Sequence, residues 1–501
     1  MELDQVTAET LGMIQKAETS GILVGTGIQG VDLQPGVRSQ VPVNVPARNN
    51  TTAFPRTIAG EGSQTAVWRA LLNINSKQTD AAVGFDFAGS LTKFDEQDCF
   101  APYKPLAKAG RVTLDAVAVA RNFADALATA ELGVLCQLFI SQDMHIINSQ
   151  NWSLGKAADL GKPTLTPEGK ASKGKMKKSE KLEVVYTARS GANYFVGGST
   201  EASEAEKVET PAEEESSVTA TVKAVKGAVA YDWYIGKEGG ELWYQGTTTT
   251  GKFKFTIIPV AAATAPKLPL FTSVVPTKSA KLISERAKPD ESFSTKWYNG
   301  VIANSLGDYG ETGPVKPGSG TATGSTFIDH GGAAITASGS SIPLLDEIND
   351  EVWASVQLSP TAYMVNSLQG DEISKLLLES TSAVTFLPPT DEDARSNLAG
   401  GGYIGRYINK AAGGVPVDIE VHPHVAPGTI IARTDRVPYP ASNIGSVFEV
   451  RCQYDTMRFD YAANYEANVE GGGPRYDFEV RSVETLVNYA PAAQTVACNI
   501  A

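Results

Sequence analysis

From Val112 to Asn148 the apolar positions recur every three or four residues. In "VTLDAVAVARNFADALATAELGVLCQLFISQDMHIIN" the residues Val119, Phe123, Leu127, Ala130, Val134 and Leu138 fall on one stripe at 3.6-residue spacing. Thr113 is placed to cap such a helix, and Asp115 sits in its first turn, where a carboxylate meets the positive end of the dipole. The pattern predicts a helix of about 30 residues, roughly 45 Å long at 1.5 Å per residue, long enough to act as an organising strut. Further on the period changes to two. Leu182, Val184 and Tyr186 alternate with polar residues, as do Val218, Ala220, Val222 and Ala224. Val229, Tyr231, Trp233 and Ile235 share one face, and so do Phe253, Phe255 and Ile257. Glycines punctuate these runs. They predict a small all-β module over 155–275, an immunoglobulin-like sandwich with Trp233 in its core.

Short apolar segments also alternate with polar ones over 59–112, in "AVWRALLNI" and "AAVGFDFAGSLTKFD". This predicts a long two-stranded excursion with its tip near Ser76–Asp80. Residues 1–58 have no helical period, and "VDLQPGVRSQVPVNVPARNNTTAFP" carries four prolines, so the stretch reads as an extended arm. Neither segment can bury a core of its own; both need something to lie on. Beyond 276 the pattern is mixed. "LLDEINDEVWASV" is an amphipathic helix using Leu345, Ile348, Val352 and Val356, "AYMVNS" a short strand and "GDEISKLLLES" a second helix. The end, "SVFEVRCQYDTMRFDYA" and "PRYDFEVRSVETLVNYAPAAQTVACNI", is strand-rich. The mixed fold that precedes the β module thus resumes after it, the layout of an α+β host with a domain inserted at a surface loop.

Composition narrows this picture. The chain has 501 residues, 42% of them hydrophobic, the length for roughly two to four domains with cores of their own. No apolar run is long enough to cross a bilayer, so no membrane partner is expected. "MELDQVTAET" lacks the basic-then-apolar order of a secretion signal, which points to a cytosol-like compartment. Cys99, Cys136, Cys452 and Cys498 lie far apart with no C-x-x-C pair. They read as reduced cysteines packed as small apolar residues, not as a disulfide framework or a structural zinc site. A formal net charge of −13 disfavours broad adhesion to nucleic acid but suits a surface that lies near it without sticking. Residues 156–181 hold eight lysines and 201–215 seven glutamates. These runs read as solvated loops, or else the first is a basic patch for anionic polymers.

Candidate chemistry is sparse. "GILVGTGIQG", Gly21 to Gly30, has the G-x-G-x-x-G spacing of a dinucleotide-binding turn. That turn needs a helix directly after it, which Pro35, Pro42 and Pro46 prevent. No Asp or Glu between Asp32 and Glu61 offers itself to a ribose, so the stretch is a loop. His422 and His424, in "VHPHVAP", lie two apart and face one way on an extended strand, but no third ligand is near in sequence. Polar strand-end histidines are the better account. Asp346 and Glu347, and Asp391, Glu392 and Asp393, read as helix-dipole partners or loop acids, not as a general acid and base. G-x-S-x-G, H-E-x-x-H and P-loop signatures do not occur. The expectation is a non-enzymatic protein with no catalytic residue, no cofactor and no metal.

Three stretches carry a family resemblance: "YKPLAKAGRVTLDAVAVARNFADALATAELGVLCQLFISQDMHIIN" at 103–148, "HPHVAPGTIIARTDRVPYPASNIGSVFEVRCQYDTMRFDYA" at 422–462 and "YDFEVRSVETLVNYAP" at 476–491. Together with the order of arm, excursion, long helix, mixed domain and closing strands, they resemble a tailed-bacteriophage major capsid protein of the Hong Kong 97 type. The resemblance covers the chain outside about 155–270. It implies an N-terminal arm at 1–58 and an extended β loop at 59–112 that overlaps a neighbouring subunit. The peripheral domain's spine helix would lie within 113–154, the inserted immunoglobulin-like domain at 155–275 and the axial domain at 276–428. Peripheral strands would occupy 429–482, and 483–501 would return to the axial domain.

The same resemblance implies self-assembly in hexamers and pentamers into an icosahedral virion shell, put together in the host cytoplasm around double-stranded DNA. Scaffolding and portal proteins, and a decoration protein, would be partners, and the DNA would be faced without sequence-specific binding. Arm-like sequence directly after Met1 implies a separate scaffolding protein and no large processed segment. Lys77 and Lys93 lie where some relatives cross-link, but no matching asparagine or acid is found, and ordinary surface lysines are expected. The insert is expected on the outer face. Trp243 and Tyr244 would there form an exposed aromatic contact, or belong to the module's own core. The rival readings are an adhesion protein built on the immunoglobulin-like module, an encapsulin-like compartment shell, and a soluble α/β enzyme.

Overall fold

The long apolar stripe folds as two helices. In the computed structural model the described residues are 42–59, 62–73, 89, 95–120, 125–169, 174–257, 289–306, 326–339, 341–379, 404–438, 442–461 and 474–501. Thr113 does cap a helix, α1 (Leu114–Ala120), its hydroxyl accepting the Ala116 N–H at 3.3 Å. A second helix, α2 (Ala126–Asn148), starts afresh at Asp125, whose carboxylate accepts from the Leu127 and Ala128 N–H groups. The expected helix of about 30 residues is thereby corrected to one of 23 residues, about 34 Å long. The physical reason is the second cap: an Asp side chain bonded to two free N–H groups ends one helix and begins another. Val119 is 85% exposed, while Val117 of α1 packs against the main core. Leu127, Ala130, Val134 and Leu138 all pack into or against the main core. Phe123 lies outside the described residues.

Helix α2 covers one face of a four-stranded sheet made of β1 (Arg56–Ile58), β4 (Lys104–Thr113), β17 (Phe448–Tyr461) and β18 (Arg475–Asn488), in the order β1-β17-β18-β4. Leu106, Val112, Phe478 and Val480 share a cluster with Val134 and Leu138 of the helix. The helix comes so close that a Cβ on Gly110 would sit 2.4 Å from Phe478 Cζ and 2.9 Å from Val134 Cγ2. The described end of the arm is docked. It forms one helical turn at Pro46–Asn49 and buries Ala47, Ala53 and Phe54 in the same core. The extended reading of 42–58 is corrected to that extent.

Two strands stand apart from this body. β2 (Thr65–Asn73) and β3 (Asp95–Pro102) pair antiparallel, with Thr65 opposite Pro102 and Asn73 opposite Asp95. The tip expected near Ser76–Asp80 lies outside the described residues.

The β module forms two sheets. One runs in the order β10 (Trp243–Thr248), β9 (Ala228–Lys237), β6 (Lys181–Ser190), β7 (Glu206–Glu209). The other runs β11 (Lys252–Phe255), β8 (Ser217–Thr221), β5 (Thr164–Glu168). Tyr186, Val218, Ala220, Trp233, Ile235 and Phe255 share the core between them. Trp233 is fully buried and its indole N–H donates to Thr248 Oγ1 at 2.7 Å. Ile257 falls past the end of β11 and is exposed.

The remaining strands build a six-stranded mixed sheet in the order β12-β19-β16-β13-β15-β14. These are β12 (Thr326–Ala333), β13 (Ala362–Val365), β14 (Arg406–Asn409), β15 (Val415–Val421), β16 (Ile430–Arg433) and β19 (Thr495–Ile500). Helices α3 (Pro343–Val356) and α4 (Ser367–Glu379) pack on it through Leu345, Ile348, Ile373 and Leu377. Ile430–Arg433 was expected with the strands of 429–482, yet it pairs with Ala362–Val365 and with β19. Conversely β18 continues in the four-stranded sheet to Asn488, so the return to the other sheet comes at β19. No helix among the described residues is long and apolar enough to cross a membrane.

Candidate functional site

A densely bonded polar region lies where arm, helix and sheets meet. Arg48 lies over the Phe139 ring at 3.5 Å, its Nε donates to Gln142 Oε1 at 2.7 Å, and its backbone N–H donates to Asp143 Oδ1 at 2.9 Å. Arg56 reaches further in, donating to Asp455 at 2.8 Å and to Glu484 at 2.7 Å. Glu484 is fully buried and also accepts from Gln142 Nε2 at 3.0 Å and the Tyr298 hydroxyl at 3.1 Å. Burial pulls the Arg56 pKa down, but Glu484 and the Asp455 hydrogen bond outweigh it and raise it overall. The arm is therefore fastened by charge as well as by Phe54. None of Arg48, Arg56, Gln142 or Glu484 stands out in the sequence, because their side-chain hydrogen-bond partners lie between 94 and 428 residues away.

The histidine pair finds a third group. His422 and His424 sit in the turn after β15, and Asp143 comes to them from α2. His424 Nδ1 lies 2.6 Å from Asp143 Oδ2, and His422 Nε2 3.3 Å from the same oxygen. The expectation that no third ligand is available holds in sequence and fails in space. Whether the trio fits a metal turns on the tautomer. The His424 backbone N–H donates to His422 Nδ1 at 3.1 Å, so that ring carries its proton on Nε2, facing the carboxylate. Metal ligation through Nε2 needs the opposite tautomer, with a proton on Nδ1 aimed into another N–H. The donor set suits a polar cluster that ties α2 to the turn after β15, in which His424 meets Asp143 at 2.6 Å and His422 Nε2 is buried without a hydrogen bond. Burial pushes His422 down to about 4, with Asp143 opposing and His424 and Arg433 adding.

The other sequence candidates separate. Asp346 lies in the first turn of α3 and accepts from the Tyr407 hydroxyl at 2.6 Å, as a dipole partner should. Tyr244 is buried against Tyr234, so it belongs to the module's own packing, whereas Trp243 is half-buried. Cys99, Cys452 and Cys498 are buried, and Cys136 is half-buried. Gly21–Gly30, Lys77, Lys93 and Asp391–Asp393 lie outside the described residues.

Two surfaces are left open. The β2–β3 ribbon is anchored at its base, where Ala66, Ala101 and Tyr103 cluster with Val483 and Val487, and Trp68 meets Tyr489 edge-on. Beside that base Val67 is 63% exposed, and Arg69 and Asp98 pair in solvent. On the face of the four-stranded sheet away from α2, alternate residues Met457, Phe459 and Tyr461 of β17 remain 48%, 38% and 51% exposed. Asp477 and Arg111, paired at 2.7 Å, continue that face across β18 and β4.

No family model matches the chain, and no curated protein does. Among solved structures it is similar to the capsid of the native GTA particle, at 8% identity and a TM-score of 0.40, over 96% of this chain and 100% of that one. It is similar to the capsid of Myoviridae phage XM1 at 9% identity and a TM-score of 0.39, over 96% and 100%. The holo-SrpI encapsulin complex of Synechococcus elongatus is similar at 10% identity and a TM-score of 0.35, over 93% and 92%.

Proposed function

We propose that this chain is the subunit of a closed icosahedral shell of the Hong Kong 97 type, a major capsid protein enclosing double-stranded DNA. The observation that carries the reading is the β2–β3 ribbon, in which the buried side chains among those described, Ala66, Cys99 and Ala101, lie toward its base. An isolated two-stranded ribbon is marginal in water at best, so this one gains its stability by lying on another copy. The uncovered Met457, Phe459 and Tyr461 face supplies apolar surface of the kind such a ribbon needs. Contacts repeated by every subunit close into a symmetric assembly, each standard interface burying roughly 1,200–2,000 Å².

On this reading 1–58 is the N-terminal arm and the ribbon belongs to the extended loop at 59–112. The four-stranded sheet with α2 is the peripheral domain, and the six-stranded sheet with α3 and α4 is the axial domain. The two-sheet β module is an immunoglobulin-like insert displayed on the outer surface. The partners are further copies in hexamers and pentamers, scaffolding and portal proteins, a decoration protein, and DNA contacted without base readout. The net charge of −13 suits a wall that packaged DNA does not adhere to.

The test is expression of the full chain alone and with scaffolding and portal proteins, followed by negative-stain microscopy and light scattering. Uniform closed particles or capsomer-sized rings are expected. A subunit that stays monomeric with both helpers present overturns the reading and returns the adhesion protein to first place.

A further inference from the structure

Any inserted domain must be joined to its host by two connections, and here they run side by side. The Gly300 N–H donates to Ser149 O at 2.7 Å, the Ser294 N–H to Gln150 O at 3.2 Å, and the Leu154 N–H to Ser292 Oγ at 3.2 Å. The β module makes a second attachment that insertion does not require. Two of its loops, 222–227 between β8 and β9 and 249–251 between β10 and β11, rest on strands β12 and β19 of the six-stranded sheet.

Asn499 is the centre of that attachment. It is buried, its Oδ1 accepts the Gly251 N–H at 2.5 Å, and its Nδ2 donates to Asp329 Oδ1 at 2.8 Å. The other carboxylate oxygen of Asp329 accepts the Ala224 N–H at 3.0 Å. Both strands depart from regular geometry to make these bonds. Asn499 has φ +59°, a left-handed conformation that asparagine tolerates better than most residues. β12 loses register with β19 between Asp329 and Ala333, where Gly331 and Gly332 have φ +66°.

The fit is tight and continues into the cores. A Cβ on Gly332 would lie 3.1 Å from Lys252 Cδ, and one on Gly227 2.9 Å from Trp152 and 3.3 Å from Leu306. Val229 and Ala230 of β9 pack in the host's main cluster, and Trp152 packs against both that cluster and the module's own. On another side Phe195 meets His424 edge-on with ring centres 5.8 Å apart.

We propose that the inserted module is a brace for the host: by holding Asp329 and Asn499 it stabilises the β12–β19 side of the six-stranded sheet, whatever its free end displays. A left-handed backbone at a non-glycine residue and a broken register persist only where the surroundings hold them. Here the surroundings are the module's loops.

Hydrogen exchange on the full chain tests this. Asn499→Gly keeps the left-handed backbone available and removes both side-chain bonds. Trp233→Ala damages only the module's own core. The brace predicts that amides of β12 and β19 exchange roughly tenfold faster or more in each variant, because Asn499→Gly leaves the buried Gly251 donor unpaired and Trp233→Ala loosens the module whose loops hold Asp329 and Asn499. A Trp233→Ala chain in which module and host unfold together supports the brace as well. Fast exchange confined to the module, with β12 and β19 as protected as in the parent chain, overturns it. Unchanged β12 exchange in Asn499→Gly does the same.

Discussion

Replacing Arg56 with alanine is expected to free the arm and to cost far more than a surface ion pair is worth. The guanidinium lies 2.7 Å from Glu484 and 2.8 Å from Asp455, with Glu484 fully buried. In Arg56→Ala, Glu484 keeps two neutral donors, Gln142 and Tyr298, and loses its counter-charge. Removing one partner of a buried pair costs about 3–5 kcal/mol, since the remaining charge stays out of water uncompensated. Arg69→Ala is the control, because the Arg69–Asp98 pair is exposed on the ribbon and such pairs contribute about 0–1 kcal/mol. Urea unfolding of the unassembled subunit gives both numbers, and limited proteolysis reports whether 42–58 has come loose. Adding Glu484→Gln to Arg56→Ala should recover part of the loss, because the unpaired carboxylate is then gone. An Arg56→Ala cost of less than about 1 kcal/mol, no larger than the exposed control, would refute the claim that charge fastens the arm.

Acid should destabilise the subunit through two buried imidazoles. His145 is held near 4 by burial with the Lys108 charge adding, and His422 near 4 by burial against the pull of Asp143, both from an ordinary 6.5. The folded rings refuse protons that the unfolded chain accepts, so stability is whole above pH 6.5 and falls toward pH 4, by up to about 3 kcal/mol for each ring. His422→Asn should flatten the urea-midpoint profile across that window; a profile parallel to the parent's would remove His422 from the account. Phe459→Ser should cost the subunit about 1 kcal/mol, because the ring is 38% exposed and meets Tyr454 edge-on, and should lower particle yield in sedimentation far more than that cost explains. Gly110→Ala should cost about 1–3 kcal/mol in thermal unfolding, since its Cβ would overlap Phe478 and Val134 beneath α2.

Elements that bury one face within their own neighbourhood are legible in the chain. Leu345, Ile348 and Val352 mark α3, and Tyr231, Trp233 and Ile235 mark β9, because each pattern reports a core close by. The break between α1 and α2 is masked, since "RNFAD" keeps the apolar spacing while Asp125 supplies a new cap. The placement of Ile430–Arg433 could have been read. All four residues are buried, as suits a central strand, whereas Phe448–Gln453 of β17 alternates as a strand covered on one face does. Asp143 left a fainter sign: Gln142 and Asp143 are polar where α2 is otherwise driving toward the core, and such residues need partners. Those partners lie as far as 342 residues away for Gln142 and 281 for Asp143, where His424 is the partner. Asn499, one polar residue in the apolar run that closes the chain, follows the same rule with Gly251 and Asp329. A buried polar residue in an apolar run announces a long-range bond without naming its other end. The open ribbon and the bare β17 face are the complementary case, since apolar residues left uncovered in the folded subunit point to a partner that one chain does not contain.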